Sequence, residues 1–368
     1  MNRYRLTDIC DFQGGSQPPK SQWKDTYKNG YIRMLQIRDF TQKPEKIEYV
    51  KETNSIKKCS EDDILIARYG ASIGKILTGL EGAYNVAIVK TIPNSKILSK
   101  TYLYYYLNSS IFQKYIKNVG SRAAQAGFNK KELNKLEIDL PTLDKQKIIV
   151  ENLQKIQNII SKKEYQIAAL DNLIKSLFVN MFNDKIQFPR ELLKNNIEEM
   201  FIGPFGSDLK NEFFVDKTSS YCVVYEQKHA INKYIGDFRY INKDKYNKLK
   251  RFEIQPEDII VSCRGTIGET YVIPKNSPLG IMHPSIMKIR LKKDKYNSIF
   301  FNEIISNYLY ENAEKNNGGI IKMAIKASDL ANTDFIRPDI KEQENYLKLK
   351  QQIDKQKFEI QKKKQITY

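Results

Sequence analysis

The strongest periodicity in the chain lies between Asp144 and Phe182. Ile149, Leu153, Ile156, Ile160, Lys163, Ile167, Leu170, Ile174, Leu177 and Met181 fall at successive a and d positions of a heptad, broken only by Lys163. A 3.5-residue period held this long predicts one helix with a coiled-coil seam, since an ordinary globular helix shows a wider apolar stripe. At about 1.5 Å per residue it would run roughly 55–60 Å, more than a compact domain of this size needs. The pattern therefore predicts a spacer between two bodies, with a long core helix of a single domain as the plainer alternative.

Before that helix the pattern is that of strands and turns. Leu6 to Phe12 runs into Gly14-Gly15-Ser16 and Pro18-Pro19, which read as a loop. Tyr31 to Ile37 is a strand with Arg38 and Asp39 at its end. An acidic turn, Glu61-Asp62-Asp63, precedes Ile64-Leu65-Ile66-Ala67, a buried strand that leaves through Arg68-Tyr69-Gly70 towards Gly74. Ala83 to Ile92 is a further strand and Ser99 to Tyr115 a Tyr-rich helix. Gly120 to Gly127 is a polar, basic loop, and Leu136 to Leu140 is a last strand before Pro141. Mixed strands with a late helix predict an α+β domain.

The same order then recurs. Gly203-Pro204-Phe205-Gly206-Ser207 follows Leu192 to Phe201, and Tyr221 to Tyr225 parallels Tyr31 to Leu35. Pro256-Glu257-Asp258-Ile259-Ile260-Val261 answers the acidic turn and strand at Asp62 to Ile66, with Gly265 for Gly70 and Gly268 for Gly74. Ile281 to Leu291, Ile299 to Tyr310 and Gly318-Gly319 complete the series. Each copy ends in a proline with a Gln five residues on, Pro141 to Gln146 and Pro338 to Gln343, and then a helix. The second helix, Lys341 to about Lys364, is shorter, with Leu349, Ile353 and Ile360 as its seam. One α+β fold used twice is the expectation.

Composition narrows the partners. Lys plus Arg exceed Asp plus Glu by 61 to 43, a formal charge of +18 with a pI near 9.4. Such a chain attracts polyanions, nucleic acid first and an anionic membrane surface second. Cys10, Cys59, Cys222 and Cys263 stand far apart, and His229 and His283 are the only histidines, so neither a zinc spacing nor a disulfide framework is present. A reducing, cytoplasmic setting is expected. No run approaches the roughly 18 apolar residues of a membrane span, and Met1 to Cys10 has no apolar signal region.

The doubled architecture resembles the specificity subunits of type I restriction-modification systems. The resemblance is carried by Asp63-Ile64-Leu65-Ile66 with Arg68, Gly70 and Gly74, by Asp258-Ile259-Ile260-Val261 with Arg264, Gly265 and Gly268, and by the two Pro-to-Gln helix starts. It covers essentially the whole chain. It implies two target recognition domains, 1–143 and 184–340, with a central spacer helix at 144–183 and a C-terminal one at 341–368. It also implies a non-catalytic reader of double-stranded DNA, each domain taking one half of a split, asymmetric sequence. The antiparallel helices would set the gap and dock two methyltransferase subunits, with restriction subunits joining the full complex. S-adenosylmethionine, and ATP with Mg for cleavage, would sit on those partners and no cofactor on this chain. A related system with methylation and cleavage on one partner polypeptide is the variant reading.

Base reading favours Arg and Lys on guanine and Asn, Gln, Ser or Thr on adenine and other edges, whereas phosphates need only positive charge. The loops chosen on that basis carry Arg38; Arg68, Tyr69 and Ser72; and Ser121, Arg122, Gln125, Asn129 and Lys130. Their counterparts in the second copy carry Lys228 and His229; Arg264 and Thr266; His283 and Ser285; and Lys322 and Lys326. Leu153, Ile156, Ile160, Ile167, Leu170, Ile174 and Leu177 with Leu349, Ile353 and Ile360 are the expected helix seam. Rival functions are a nuclease built on Glu226-x-Lys228 with Asp208, and a coiled-coil scaffold with incidental charge. A methyltransferase reading fares worse than either, with no Gly-rich cofactor loop after a strand and no Asn/Asp-Pro-Pro-aromatic tetrapeptide in the sequence.

Overall fold

The computed structural model describes residues 2–42, 46–122, 127–182, 188–264, 266, 268–315 and 326–365. The chain divides into two compact units, Met1–Ser161 and Lys162–Tyr368. The first holds β1 (Asn2–Arg5), β2 (Cys10–Gly14), β3 (Tyr31–Leu35), β4 (Tyr49–Lys51), β5 (Lys58–Cys59), β6 (Leu65–Ala67), β7 (Ile76–Leu77), β8 (Gly82–Tyr84), β9 (Ile88–Pro93) and β10 (Glu137–Leu140). The second holds β11 (Arg190–Leu192), β12 (Ile197–Ile202), β13 (Cys222–Tyr225), β14 (Arg239–Ile241), β15 (Glu253–Ile254), β16 (Ile259–Ser262), β17 (Thr270–Val272), β18 (Gly280–Met282), β19 (Ile286–Leu291) and β20 (Asp334–Ile336).

These strands pair in the same order in both units. The first has sheets β2-β9-β6-β7 and β4-β3-β8-β5 with a β1-β10 ribbon. The second has β12-β19-β16-β17 and β14-β13-β18-β15 with a β11-β20 ribbon. In each, one pair is parallel, β3 with β8 and β13 with β18. The duplication seen in the sequence is therefore a duplication of topology.

The continuous apolar runs after the acidic turns follow from burial on both faces. Ile64 and Ile66 pack with Leu103, Leu107 and Phe112 of the helices, while Leu65 and Ala67 pack with Leu35, Tyr84 and Ile88 beneath the other sheet. In the second unit Ile259 and Val261 join Phe300, Phe301 and Ile305, and Ile260 faces Val223 and Tyr225. A strand covered on both sides has no polar alternation to show.

The repeated Pro-to-Gln spacing has a physical cause. Gln146 is fully buried. Its Oε1 accepts from the Ser99 amide at 2.8 Å, and its Nε2 donates to the carbonyls of Ile97 at 2.7 Å and Pro141 at 2.8 Å. Gln343, equally buried, accepts from the Asn297 amide at 2.8 Å and donates to Lys295 at 2.9 Å and Pro338 at 2.8 Å. In both units one side chain ties the start of a long helix to the turn before the Tyr-rich or Phe-rich helix.

Those long helices are Leu143–Phe182, 40 residues, and Ile340–Gln365, 26 residues. Within the second unit they run antiparallel. Lys364 pairs with Glu164, Lys357 with Asp171, and Tyr346 packs edge-on against Phe182. Ile167, Leu170, Ile174, Leu177, Ile353 and Ile360 are half-buried. Leu349, expected in the seam, is instead 42% exposed, and the seam passes through its neighbour. The half-buried positions Lys350, Ile353, Lys357, Ile360 and Lys364 keep the heptad spacing. A reading that counts only apolar residues misses a seam in which every second position is a lysine, whose methylenes cover apolar surface while the ammonium reaches a carboxylate. Those carboxylates are Glu303 for Lys350, Asp171 for Lys357 and Glu164 for Lys364. Lys163 donates to the Lys363 carbonyl at 2.8 Å, a cation on the last turn of a helix, where its dipole favours one. In the first unit Leu153 and Ile160 are half-buried, whereas Ile156 is 39% exposed and so does not follow the seam assigned to it.

Candidate nucleic-acid interface

In the first unit β2, β3, β6 and β8 all deliver their following loops to one rim, which backbone hydrogen bonds knit together. The amides of Gly15 and Ser16 donate to Ile88 at 3.2 Å and Tyr84 at 2.9 Å, Asn85 to Leu35 at 3.1 Å, and Arg68 to Ala87 at 2.7 Å. The second unit repeats the pattern: Gly203 to Ile286 at 3.0 Å, His283 to Tyr225 at 2.8 Å and Cys263 to Ser285 at 2.9 Å. Glycine is required at the tightest approach. A Cβ on Gly15 would lie 2.1 Å from the Asn85 carbonyl oxygen, and one on Gly203 2.3 Å from that of His283.

The rim gathers most of the predicted contacts. On the first lie Arg38, Arg68, Tyr69 and Ser72; the Gly127–Lys130 segment joins them because Arg68 Nε donates to the Phe128 carbonyl at 2.8 Å and Tyr69 bridges to Gly127. On the second lie Lys228, Arg264, Thr266, His283 and Ser285. Lys326, exposed, precedes the short helix Ala327–Ala331 in the place where Asn129 precedes Lys130–Leu133. Gln125 and Lys322, and the side chains of Ser121 and Arg122, lie outside the described residues. The ladders also refine the equivalence of the two copies. Lys90 and Lys288 face Leu65 and Ile260, so Arg264 corresponds to Tyr69, and Arg68 to Cys263.

The side chains differ in what they are committed to. Arg38 pairs with Glu48 at 2.6 Å, Lys228 with Asp237 at 3.0 Å, and Lys130 with Asp11. Asn129 is a helix cap, its Oδ1 accepting from the Lys131 amide at 2.9 Å. Ser285 is buried against His283 Nδ1 at 2.8 Å, and burial holds the His283 imidazole below its usual value. His229, chosen from its place after Lys228, is 1% exposed. Its Nδ1 accepts from the Glu226 amide at 2.8 Å and its ring packs on Phe238, so it supports the loop from within. Arg264, Thr266 and Tyr69 are exposed. Sequence reasoning passed over Asn85, Gln17 and Phe205, which the same hydrogen bonds bring to the rims; they follow strand ends with no charge to mark them.

The nuclease reading fails on the state of Glu226. Its carboxylate pairs with Arg239, lies 3.5 Å from Lys228, and starts the helix Gln227–Asn232. It is an anchor for cations of its own chain. Among the described residues no group of three His, Cys, Asp or Glu is placed to hold a metal ion, and no helix is long and apolar enough to cross a membrane.

The family described as the type I restriction modification DNA specificity domain matches residues 1–170 and 210–367. Over 196 residues the chain is 26% identical to the specificity subunit of the type I restriction enzyme MjaVIII of Methanocaldococcus jannaschii, covering 53% of this chain and 45% of that one. Over 288 residues it is 24% identical to the putative MjaX specificity subunit of the same organism, covering 74% and 67%. The chain thus spans about half the length of the first of these relatives and two thirds of the second. A solved structure described under complex assembly and conformational transition of the type I R-M system aligns over 100% of this chain and 96% of its own, with TM-score 0.64 and 13% identity, a likeness of fold. With two like-folded units, like rims and a family match across both, the chain belongs to the type I restriction-modification DNA specificity family and carries its specificity domain twice.

Proposed function

We propose that the chain is the non-catalytic DNA-recognition subunit of a type I restriction-modification complex, working in the cytoplasm. Each rim reads one half of a split, asymmetric duplex sequence, and the long helices fix the unspecified gap and dock two methyltransferase subunits, with restriction subunits added in the full complex. S-adenosylmethionine, ATP and Mg belong to those partners. Domain limits of 1–143 and 184–340, with helices at 144–183 and 341–368, accompany this reading. The single observation that carries it is one backbone rim built twice with different exposed side chains, Tyr69 against Arg264 and Gln17 against Phe205. That is how two readers on one scaffold come to prefer different bases, because phosphate contacts position a protein and base edges specify it. The charge of +18 supplies the attraction to duplex.

Binding to duplex DNA by the full chain is expected to fall log-linearly with salt, by on the order of a thousandfold between 50 and 200 mM if about six phosphates are neutralised. A preference for some sequences should persist across that range. Titration of fluorescent duplexes at several salt concentrations checks both. Salt-dependent binding with no preference at any concentration would return the chain to the scaffold class.

A further inference from the structure

The loop after β12 presents Phe205 with 82% of its surface exposed, more than any other large apolar side chain among the described residues. Single exposed apolar residues are common and need no explanation. This one is held out by a rigid frame. On one side, Gly203 is pinned by its amide to Ile286 and Pro204 is buried. On the other, the Asp208 amide donates to the Phe205 carbonyl at 2.9 Å and Leu209 is buried. The ring is therefore fixed in water at the rim, next to the His283 backbone on which Gly203 rests, although the burial of a Phe ring stabilises by about 1.5–3 kcal/mol.

The other copy shows what the position is for. Gly15 and Gly203 meet the same carbonyl of their units, that of Asn85 and that of His283, so two residues on Gln17 stands where Phe205 stands. Gln17 is also exposed. A Gln at a loop tip offers a donor and an acceptor to a base edge; a Phe offers only apolar surface, which fits a thymine C5-methyl or the face of an unstacked base.

We propose that Gln17 and Phe205 are paired specificity determinants, the tips through which the two domains read different bases, Gln17 by hydrogen bonds and Phe205 by apolar contact. This rests on the DNA-reading function proposed above. Both side chains are exposed and no packing is lost in Gln17→Ala or Phe205→Ala, so the variants keep the fold.

The test is selection by the full chain from random-sequence DNA duplexes longer than three helical turns. Phe205→Ala should retain one half of the wild-type motif and lose preference at one or two adjacent positions of the other, with affinity for the wild-type motif lowered on the order of tenfold. Gln17→Ala should relax the opposite half. Replacing thymine by uracil at the relaxed position then separates the two apolar sources. If the methyl is the contact, wild type binds the uracil duplex as weakly as Phe205→Ala binds the thymine one. If the base face is the contact, uracil has no effect, and 2-aminopurine in place of the paired adenine brightens on binding wild type and stays dark with Phe205→Ala. Selection of an unchanged motif by Phe205→Ala with unchanged affinity overturns the inference alone, as does weakening of every duplex equally. A wild-type chain that selects no motif overturns the DNA-reading proposal and this inference with it.

Discussion

Gln343→Leu is expected to destabilise the chain by about 4 kcal/mol, a large share of the roughly 5–15 kcal/mol that holds a typical domain folded. The three groups that Gln343 satisfies are all main-chain atoms: the Asn297 amide and the Lys295 and Pro338 carbonyls. None can turn to a new partner, and Gln343 is fully buried. Leucine matches the shape and leaves each group stranded at about 1–3 kcal/mol, partly relieved where water enters. Gln146→Leu should cost a similar amount, since its bonds to Ser99, Ile97 and Pro141 are the same three in kind. Urea unfolding followed by circular dichroism measures both. A loss below about 1 kcal/mol would show that the clasp is dispensable and that the repeated spacing has another cause.

Lys288→Met should cost about 2 kcal/mol, for a different reason. Lys288 sits on β19 with its side chain 1% exposed, its ammonium 2.6 Å from Glu199, 2.9 Å from the Glu253 carbonyl and 4.6 Å from the centre of the Phe201 ring. Methionine refills the buried stem but takes a donor from the Glu253 carbonyl and a cation from Glu199, whose side chain is 40% exposed and so keeps part of its hydration. Arg290, 2.9 Å from Glu199, softens the loss. The double variant Glu199→Leu/Lys288→Met should therefore recover the part of the loss that arises at Glu199 and leave the part at the Glu253 carbonyl. Equal destabilisation in single and double variants, measured by the same unfolding curves, would contradict the argument. The first unit has a lighter form of this staple, Lys90 joining Asp63 at 2.9 Å and the Lys58 carbonyl at 3.2 Å. In both units the lysine links the two four-stranded sheets.

The duplication was legible because its marks are local: a turn, an apolar run, a glycine and a proline keep their order whatever packs around them. The 40-residue helix was legible for the same reason, a period visible along the chain. What the sequence hid depends on neighbours distant in the chain. Lys350 and Lys357 look like solvated charges until Glu303 and Asp171 are brought beside them, and so the sequence points to Leu349 instead. His229 sits in a polar stretch, yet the ring is packed beneath it by Phe238. Arg38 and Lys228 stand out in the sequence by their charge, which the fold directs to Glu48 and Asp237. Nothing in the sequence marks Phe205, since an apolar residue is expected inside, and only the frame of Gly203, Pro204 and Leu209 shows it to be outside. The Gln after each proline was visible as a spacing, but two of its three bonds lie with residues some fifty positions earlier.

The central claim is that one chain reads two half-sites. It is tested most directly by co-expressing the chain with the adenine methyltransferase encoded nearest to it and mapping modified adenines across the host genome by long-read sequencing. The account predicts a split motif, two defined and different halves separated by a gap of fixed length and free sequence. Modification of a single continuous motif, or of none, would contradict it.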